Sequence, residues 1–173
     1  MSEQPGVAIG QNTDSKAINE ILQLVCFKLA NEEYALEINL IQEVIRVPRI
    51  TLIPQMPDFC LGVIHSRGNV IPVFDLRKKF CLADKAFDAN TRILEANLNN
   101  TIVSFVVDEI LDNIKFDSSQ IDPAPTVKMN IDRKYVKGLG QLDNRMIVIL
   151  DLYKMHDSIL ADIGDKNNGV ENN

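Results

Sequence analysis

Gly62-Val-Ile-His-Ser-Arg-Gly-Asn-Val-Ile-Pro-Val-Phe-Asp-Leu-Arg-Lys-Lys-Phe80 decides the fold. It reads as a β-hairpin running into a helix. Gly62 to Arg67 forms the first strand, and Gly68-Asn69 the expected turn, because glycine tolerates positive φ there. Val70 to Phe74 is an unbroken apolar run, the pattern of a strand buried on both faces. Asp75 stands where a helix N-cap belongs, with Leu-Arg-Lys-Lys after it. Arg67, at the turn, carries a permanent charge and five donors.

The pattern recurs. Gly138-Leu-Gly-Gln-Leu-Asp-Asn-Arg-Met-Ile-Val-Ile-Leu-Asp-Leu-Tyr-Lys-Met155 keeps the same distance from its glycine to its aspartate, 13 positions in both copies. Val70, Ile71, Val73, Phe74 and Leu76 fall on Met146, Ile147, Ile149, Leu150 and Leu152, and Asp151 is the second cap. Working outward, 22–38 is matched by a hairpin around Asn99-Asn100, with Leu29, Leu36 and Ile38 falling on Leu98, Phe105 and Val107. Hairpin, turn, strand, hairpin, helix therefore occurs twice. Two copies are too few for a solenoid. They imply a chain of two similar halves.

Many short strands with closely spaced turn signals indicate an all-β protein of small barrels or a sandwich. Duplication favours two small barrels packed through aliphatic outer faces, with a final helix from Asp151 to about Leu160. Each half is near the size at which a single core becomes marginal, so the halves are expected to fold as one unit. Residues 1–18 read as a disordered tail, 19–161 as one domain of two subdomains (about 19–82 and 88–161, with strand exchange between them left open), and 162–173 as a frayed tail. Asn31-Glu32 is the expected first turn. The stretch from Asn39 fits a helical turn and then a strand to about Val47. Asp58 is a candidate cap for one turn of helix, and Asp132 to Val136 a short helix.

Composition narrows the function. The 173 residues carry a net charge of −6 and no Trp, with 46% hydrophobic residues. That balance argues against nucleic-acid binding. No apolar run approaches the length of a spanning helix, and the first residues lack the pattern of a signal peptide. Cys26, Cys60 and Cys81 are far apart among apolar neighbours and read as buried reduced thiols of a cytoplasmic protein. Neither a metal site nor a cofactor loop is present: Cys and His are isolated from one another, and Gly138-Leu-Gly lacks the remaining spacing of a phosphate loop. Arg77-Lys78-Lys79 reads as a solvated helix face. His65 and Ser66 are strand neighbours that point to opposite faces, so they do not make a catalytic pair. His156 reads as a surface residue. No catalytic residue emerges, and a small hydrolase built on His65 with an Asp is the remote third reading.

The motifs taken together resemble the CheW family of chemotaxis coupling proteins. They are Glu-Glu-Tyr-Ala-Leu at 32–36, Ile-Gln-Glu-Val at 41–44, Pro-Asp-Phe-Cys-Leu-Gly-Val-Ile at 57–64 and Arg-Gly-Asn-Val-Ile-Pro-Val-Phe-Asp-Leu-Arg-Lys-Lys-Phe at 67–80. Val-Val-Asp at 106–108, Ile-Asp-Pro-Ala-Pro at 121–125 and Gly-Leu-Gly-Gln-Leu at 138–142 follow in the family's order. The resemblance covers about 22–160. It implies two interlocked five-stranded β-barrels of Src-homology-like type plus a C-terminal helix. It also implies a non-catalytic scaffold that joins the regulatory domain of the histidine kinase CheA to chemoreceptor signalling tips. Such a protein has no cofactor, and membrane association comes only through the receptors.

By the same resemblance, Ile41, Glu43, Gly62 and Arg67 are tied to receptor or kinase coupling, and Ser104 and Ile110 to further groove positions. Ser104 replaces a residue that is often Gly in the family, and His65-Ser66 replaces a common Asn-Leu. Asp122 and Val127 lie in a loop that gives some relatives a second kinase contact. Ile41 and Ile110 correspond between the halves, and two readings stay open for them: walls of a groove that takes a receptor helix, or ordinary core. Glu43 is expected to pair with Arg67. The alternative function is a regulatory docking module of another two-component or pilus-type chemosensory system. The sequence contains no kinase or receiver segment, so the stand-alone coupler is the expectation.

Overall fold

The computed structural model describes residues 19–168. The expected tail at 1–18 and residues 169–173 lie outside them. Strands β1 (Ile21–Leu29) and β2 (Glu32–Glu37) form the first hairpin, and a 3-10 turn at Ile38–Leu40 leads into β3 (Ile41–Arg46). The central hairpin is β4 (Cys60–Ser66) and β5 (Asn69–Asp75), followed by the short helix α1 (Leu76–Lys79). The second half repeats the order. Its hairpin is β6 (Arg92–Leu98) and β7 (Thr101–Val107), and β8 (Glu109–Asp117) and the two-residue β9 (Ile121–Asp122) follow. Then come β10 (Val136–Leu142), β11 (Arg145–Leu150) and the helix α2 (Leu152–Asn168).

The duplication is built into the ladders. β5 runs parallel to β7, with Val73 opposite Ser104, and β11 runs parallel to β2, with Ile149 opposite Ala35. By the sequence correspondence, Val73 answers to Ile149 and Ser104 to Ala35, so the two parallel junctions are copies of each other. Each joins one half to the other. Sheet order is β8-β1-β2-β11-β10-β9 and β3-β6-β7-β5-β4. Each sheet therefore takes strands from both halves: the leading hairpin of each half has crossed into the sheet that the other half completes. This is the interlocking that the family resemblance implied.

The sheets are open, of six and five strands, rather than closed five-stranded barrels. Each nevertheless curls until the chain leaving one edge strand reaches the opposite edge. β8 turns through Ser118–Gln120 into β9, which pairs with β10. The chain leaving β3 arrives at Thr51, which forms an antiparallel bridge to Val63 of β4. Alternation along the strands then separates three cores. Leu24, Cys26, Ala35, Phe116 and Ile147 fill the first sheet, and Ile64, Ile71, Val73, Ile93 and Val106 fill the second. The largest core lies between the outer faces, where Phe27, Tyr34, Phe74, Phe105 and Leu150 meet Leu152, Met155 and Ile159 of α2.

Local chemistry shifted some boundaries. The central turn is Arg67-Gly68, not Gly68-Asn69: both residues have positive φ (49° and 78°), and Ser66 faces Asn69. Two positive φ values give the primed turn whose twist matches that of the strands. The first hairpin likewise turns one residue earlier than expected, at Ala30-Asn31, where Ala30 takes a positive φ of 54°. Asp58 caps no helix, because the chain makes only a turn before β4. The C-terminal helix runs on to Asn168, so 162–168 is helical and not frayed.

Two compositional readings also change. The run Arg77-Lys78-Lys79 is not a solvated face. Lys79 is buried over the Phe59 ring and bonded to Asp162 at 2.7 Å, Arg77 is held by Asp108, and Lys78 alone is exposed. Cys26 and Cys60 are buried and free, whereas Cys81 is exposed.

Candidate functional site

The expected ion pair is present. Arg67 lies 3.1 Å from the Glu43 carboxylate. Glu43 sits on β3 and Arg67 at the tip of the β4–β5 hairpin, and β3 and β4 are the two edges of the five-stranded sheet. The sheet's curl therefore brings opposite edges together, and the pair clasps them. Two thirds of the Arg67 side chain remains exposed, so the contact itself contributes only about 0–1 kcal/mol. Its effect is on shape.

Gly62 explains the curl. Its φ is +135°, and a Cβ at this position would lie 2.0 Å from the Thr51 carbonyl oxygen. Only glycine lets the chain after β3 approach closely enough for the two bridge hydrogen bonds, Thr51 N–H to Val63 O (2.8 Å) and Val63 N–H to Thr51 O (2.9 Å). Gly138 has the matching role, because a Cβ there would meet Ile121 Cγ2 at 2.4 Å, on the returning strand β9.

Around this clasp the surface is apolar. Leu52, just after the bridge, is 81% exposed, and Val44 and Val70 are exposed as well. Ile53, Val70, Pro72, Ile102 and Leu160 line a groove of about 470 Å³ between the sheet and α2. Exposed aliphatic side chains gathered at a sheet edge suit the docking of another chain.

The other singled-out residues divide. Ser104 is fully buried, and its hydroxyl donates to the Pro72 carbonyl at 2.7 Å, tying β7 to β5; it cannot line a groove. Ile41 begins β3 and Ile110 is the second residue of β8, and both are half-buried, each packed against the main core. Asp75 and Asp151 are caps as read. The Asp75 carboxylate accepts from the Arg77 and Lys78 N–H groups, and Asp151 accepts from Lys154 N–H at 3.0 Å. Burial raises the Asp75 carboxyl above its ordinary value, against the two N–H bonds that lower it.

Asp122 is exposed and accepts from Ala124 N–H. Val127 is 40% exposed and lines a second groove of about 430 Å³ with Met129, Leu139 and Met146. Arg145 borders this groove and holds both Glu33 and Asp112 at 2.8 Å. Asp112 answers to Glu43 in the sequence correspondence, so each half joins an edge-strand carboxylate to an arginine at or beside a hairpin tip. The Arg145 hydrogen bonds hold the Asp112 carboxyl below the usual range.

Sequence reasoning missed two polar features. Arg77 and Asp108 form a bidentate pair, 2.7 Å at Nε and 2.6 Å at Nη2, largely out of solvent. Only the spacing between α1 and the end of β7 could have suggested it. Glu95 is fully buried inside the second sheet, in mid-strand between Leu94 and Ala96. His65 is exposed on β4, and among the described residues no group of three or more His, Cys, Asp or Glu is placed to hold a metal ion. No helix among them is long and apolar enough to cross a membrane.

Comparison with known proteins agrees with this architecture. The chemotaxis protein CheW of Klebsiella aerogenes is 35% identical over 148 residues, 84% of this chain and 89% of that one. The chemotaxis protein CheW of Helicobacter pylori is 36% identical over 132 residues, 76% of this chain and 79% of that one. The crystal structure of the scaffolding protein TtCheW from Thermoanaerobacter tengcongensis superposes with a TM-score of 0.74 at 34% identity, covering 79% of this chain and 92% of that one. The CheW-like domain matches residues 23–159, which takes in nearly all of both sheets and the first two turns of α2, and the chain belongs to the CheW-like domain family.

Proposed function

We propose that this chain is a non-catalytic chemotaxis scaffold that couples the regulatory domain of the histidine kinase CheA to the cytoplasmic tips of chemoreceptors. It works in the cytoplasm and reaches the membrane only through those receptors. The observation that carries the reading is the clasped edge of the second sheet. Glu43 and Arg67 hold β3 and the β4–β5 tip together, beside Val44, Leu52, Ile53 and Val70, all exposed aliphatic residues. Large apolar side chains gathered in this way at a sheet edge mark a protein contact. The kinase's docking module takes this edge.

A second contact is supported at the other sheet, where Val127 and Met146 are exposed beside the Arg145 cluster. Asp122 lies on the strand that borders this region.

The test is titration of a CheA regulatory domain and, separately, a receptor-tip fragment against the wild type and Leu52→Asp. Leu52 is too exposed to matter for folding, so the variant keeps its melting temperature. Kinase-domain affinity falls by about tenfold or more. Unchanged affinity refutes the placement of the edge, and absence of wild-type binding to both partners refutes the coupling role.

A further inference from the structure

Among the described residues, Glu95 is the side chain whose buried polar atoms find no hydrogen-bond partner: both carboxylate oxygens lack one. It lies in mid-β6, directly opposite Glu43 on β3 and Ser104 on β7. Residues directly opposed in a ladder share a face, so the Glu95 side chain lies beside that of Glu43, inside the curled sheet with Ile93 and Val73. Its neighbours are committed elsewhere. The Ser104 hydroxyl bonds to Pro72, and Glu43 faces Arg67. The fold does not require an acid here, since the corresponding position in the other half is Cys26, buried inside the other sheet. An unsatisfied buried carboxyl costs free energy in either protonation form.

We propose that Glu95 is an inner station for Arg67, whose guanidinium exchanges between Glu43 at the mouth of the second sheet and Glu95 beneath it. The hairpin tip then has two settings. Opposed side chains start about 5 Å apart at Cβ, so a guanidinium already 3.1 Å from one carboxylate reaches the other by side-chain rotation. Arg67 has five donors and an exposed stem free to turn. In the outer setting the clasp is closed and Glu95 is unpaired. In the inner setting Glu95 gains a charge-assisted pair, the positive charge leaves the surface, and Glu43 is released. A docking protein that brings a lysine or arginine to Glu43 therefore drives Arg67 inward. That consequence rests on the scaffold reading, whereas the exchange is a property of the free chain.

The test uses hydrogen exchange of the Arg67 Nε–H, followed by NMR on the full chain with ¹⁵N-labelled arginine. Compared are the wild type, Glu43→Gln and Glu43→Gln/Glu95→Gln. Removing the outer partner sends Arg67 inward, and its Nε–H exchange slows by about tenfold. The double variant loses this protection. If Glu95→Gln does not fold, Glu95→Val fills the same space without a charge and serves in its place. Unchanged exchange in Glu43→Gln, or protection that survives replacement of Glu95, overturns the proposal. Neither result depends on kinase or receptor binding, so failure here leaves the scaffold reading intact, and failure to bind partners leaves the exchange intact.

Discussion

Replacing Gly62 with alanine tests the idea that a single close approach shapes the docking edge. At φ +135° a side chain is strained wherever it points, and its Cβ would sit 2.0 Å from the Thr51 carbonyl oxygen. Backbone strain costs about 1–3 kcal/mol. The clash also parts Thr51 from Val63, losing two hydrogen bonds of about 1 kcal/mol each. The sum is about 3–5 kcal/mol, a large part of an ordinary domain's stability. With a urea slope near 2 kcal/mol per molar, the unfolding midpoint falls by about 1.5–2.5 M. Gly68→Ala is the control. Its φ is also positive (+78°), but nothing lies within 4 Å of the new methyl, so only the strain of about 1–2 kcal/mol remains. Because Leu52 and Ile53 follow the lost bridge, folded Gly62→Ala also binds the kinase domain more weakly, whereas Gly68→Ala does not. If the two variants unfold within about 1 kcal/mol of each other at equal slope, the close approach does not organise this edge.

Charge reversal of the clasp, Glu43→Arg or Arg67→Glu, leaves stability within about 1 kcal/mol of wild type but weakens coupling, and the double reversal recovers it in a kinase-activation assay. Asp108→Asn is different, because it strands Arg77 nearly out of solvent, and denaturation should show a loss of about 3–5 kcal/mol. Burial pushes the Asp108 carboxyl up, but hydrogen bonds from Arg77 and the Ala30 N–H outweigh it and hold the group below its ordinary value. That stabilisation is full above the unfolded-state value of about 3.9 and is lost as pH falls through the lower folded value. The variant's stability therefore declines less steeply in acid than the wild type's. In native protein, thiol labelling followed by mass spectrometry should modify Cys81 alone, because Cys26 and Cys60 are buried and burial pushes the Cys26 thiol up to about 12.

The repeated order of elements was legible because it is written locally: a glycine at fixed distance from a capping aspartate, flanked by apolar runs. Sheet membership was not. The parallel junctions of β5 with β7 and of β11 with β2 leave no mark on the strands they join, since a strand buried on both faces reads the same beside any neighbour. Turn positions slipped by one residue at Arg67 and Ala30 because arginine and alanine carry no turn signal, and the twist of the ladder imposed positive φ on them. The Glu43–Arg67 pair was expected from residue type and family position, and it formed. Ser104 and Glu95 defeated the reading for the same reason: polarity suggests a surface, yet strand alternation turned both inward. The burial of Lys79 needed a helix, α2, that lies far along the chain and ran past its expected end.

The crossed hairpins have a mechanical consequence. Each sheet is completed by strands from the other half, so there is no linker between the two ends about which they could swing. A pull on the Arg67 end passes through the parallel ladders to the Arg145 end as load on hydrogen bonds in shear. A protein built this way behaves as a stiff strut, and an assembly that repeats it inherits a constant spacing.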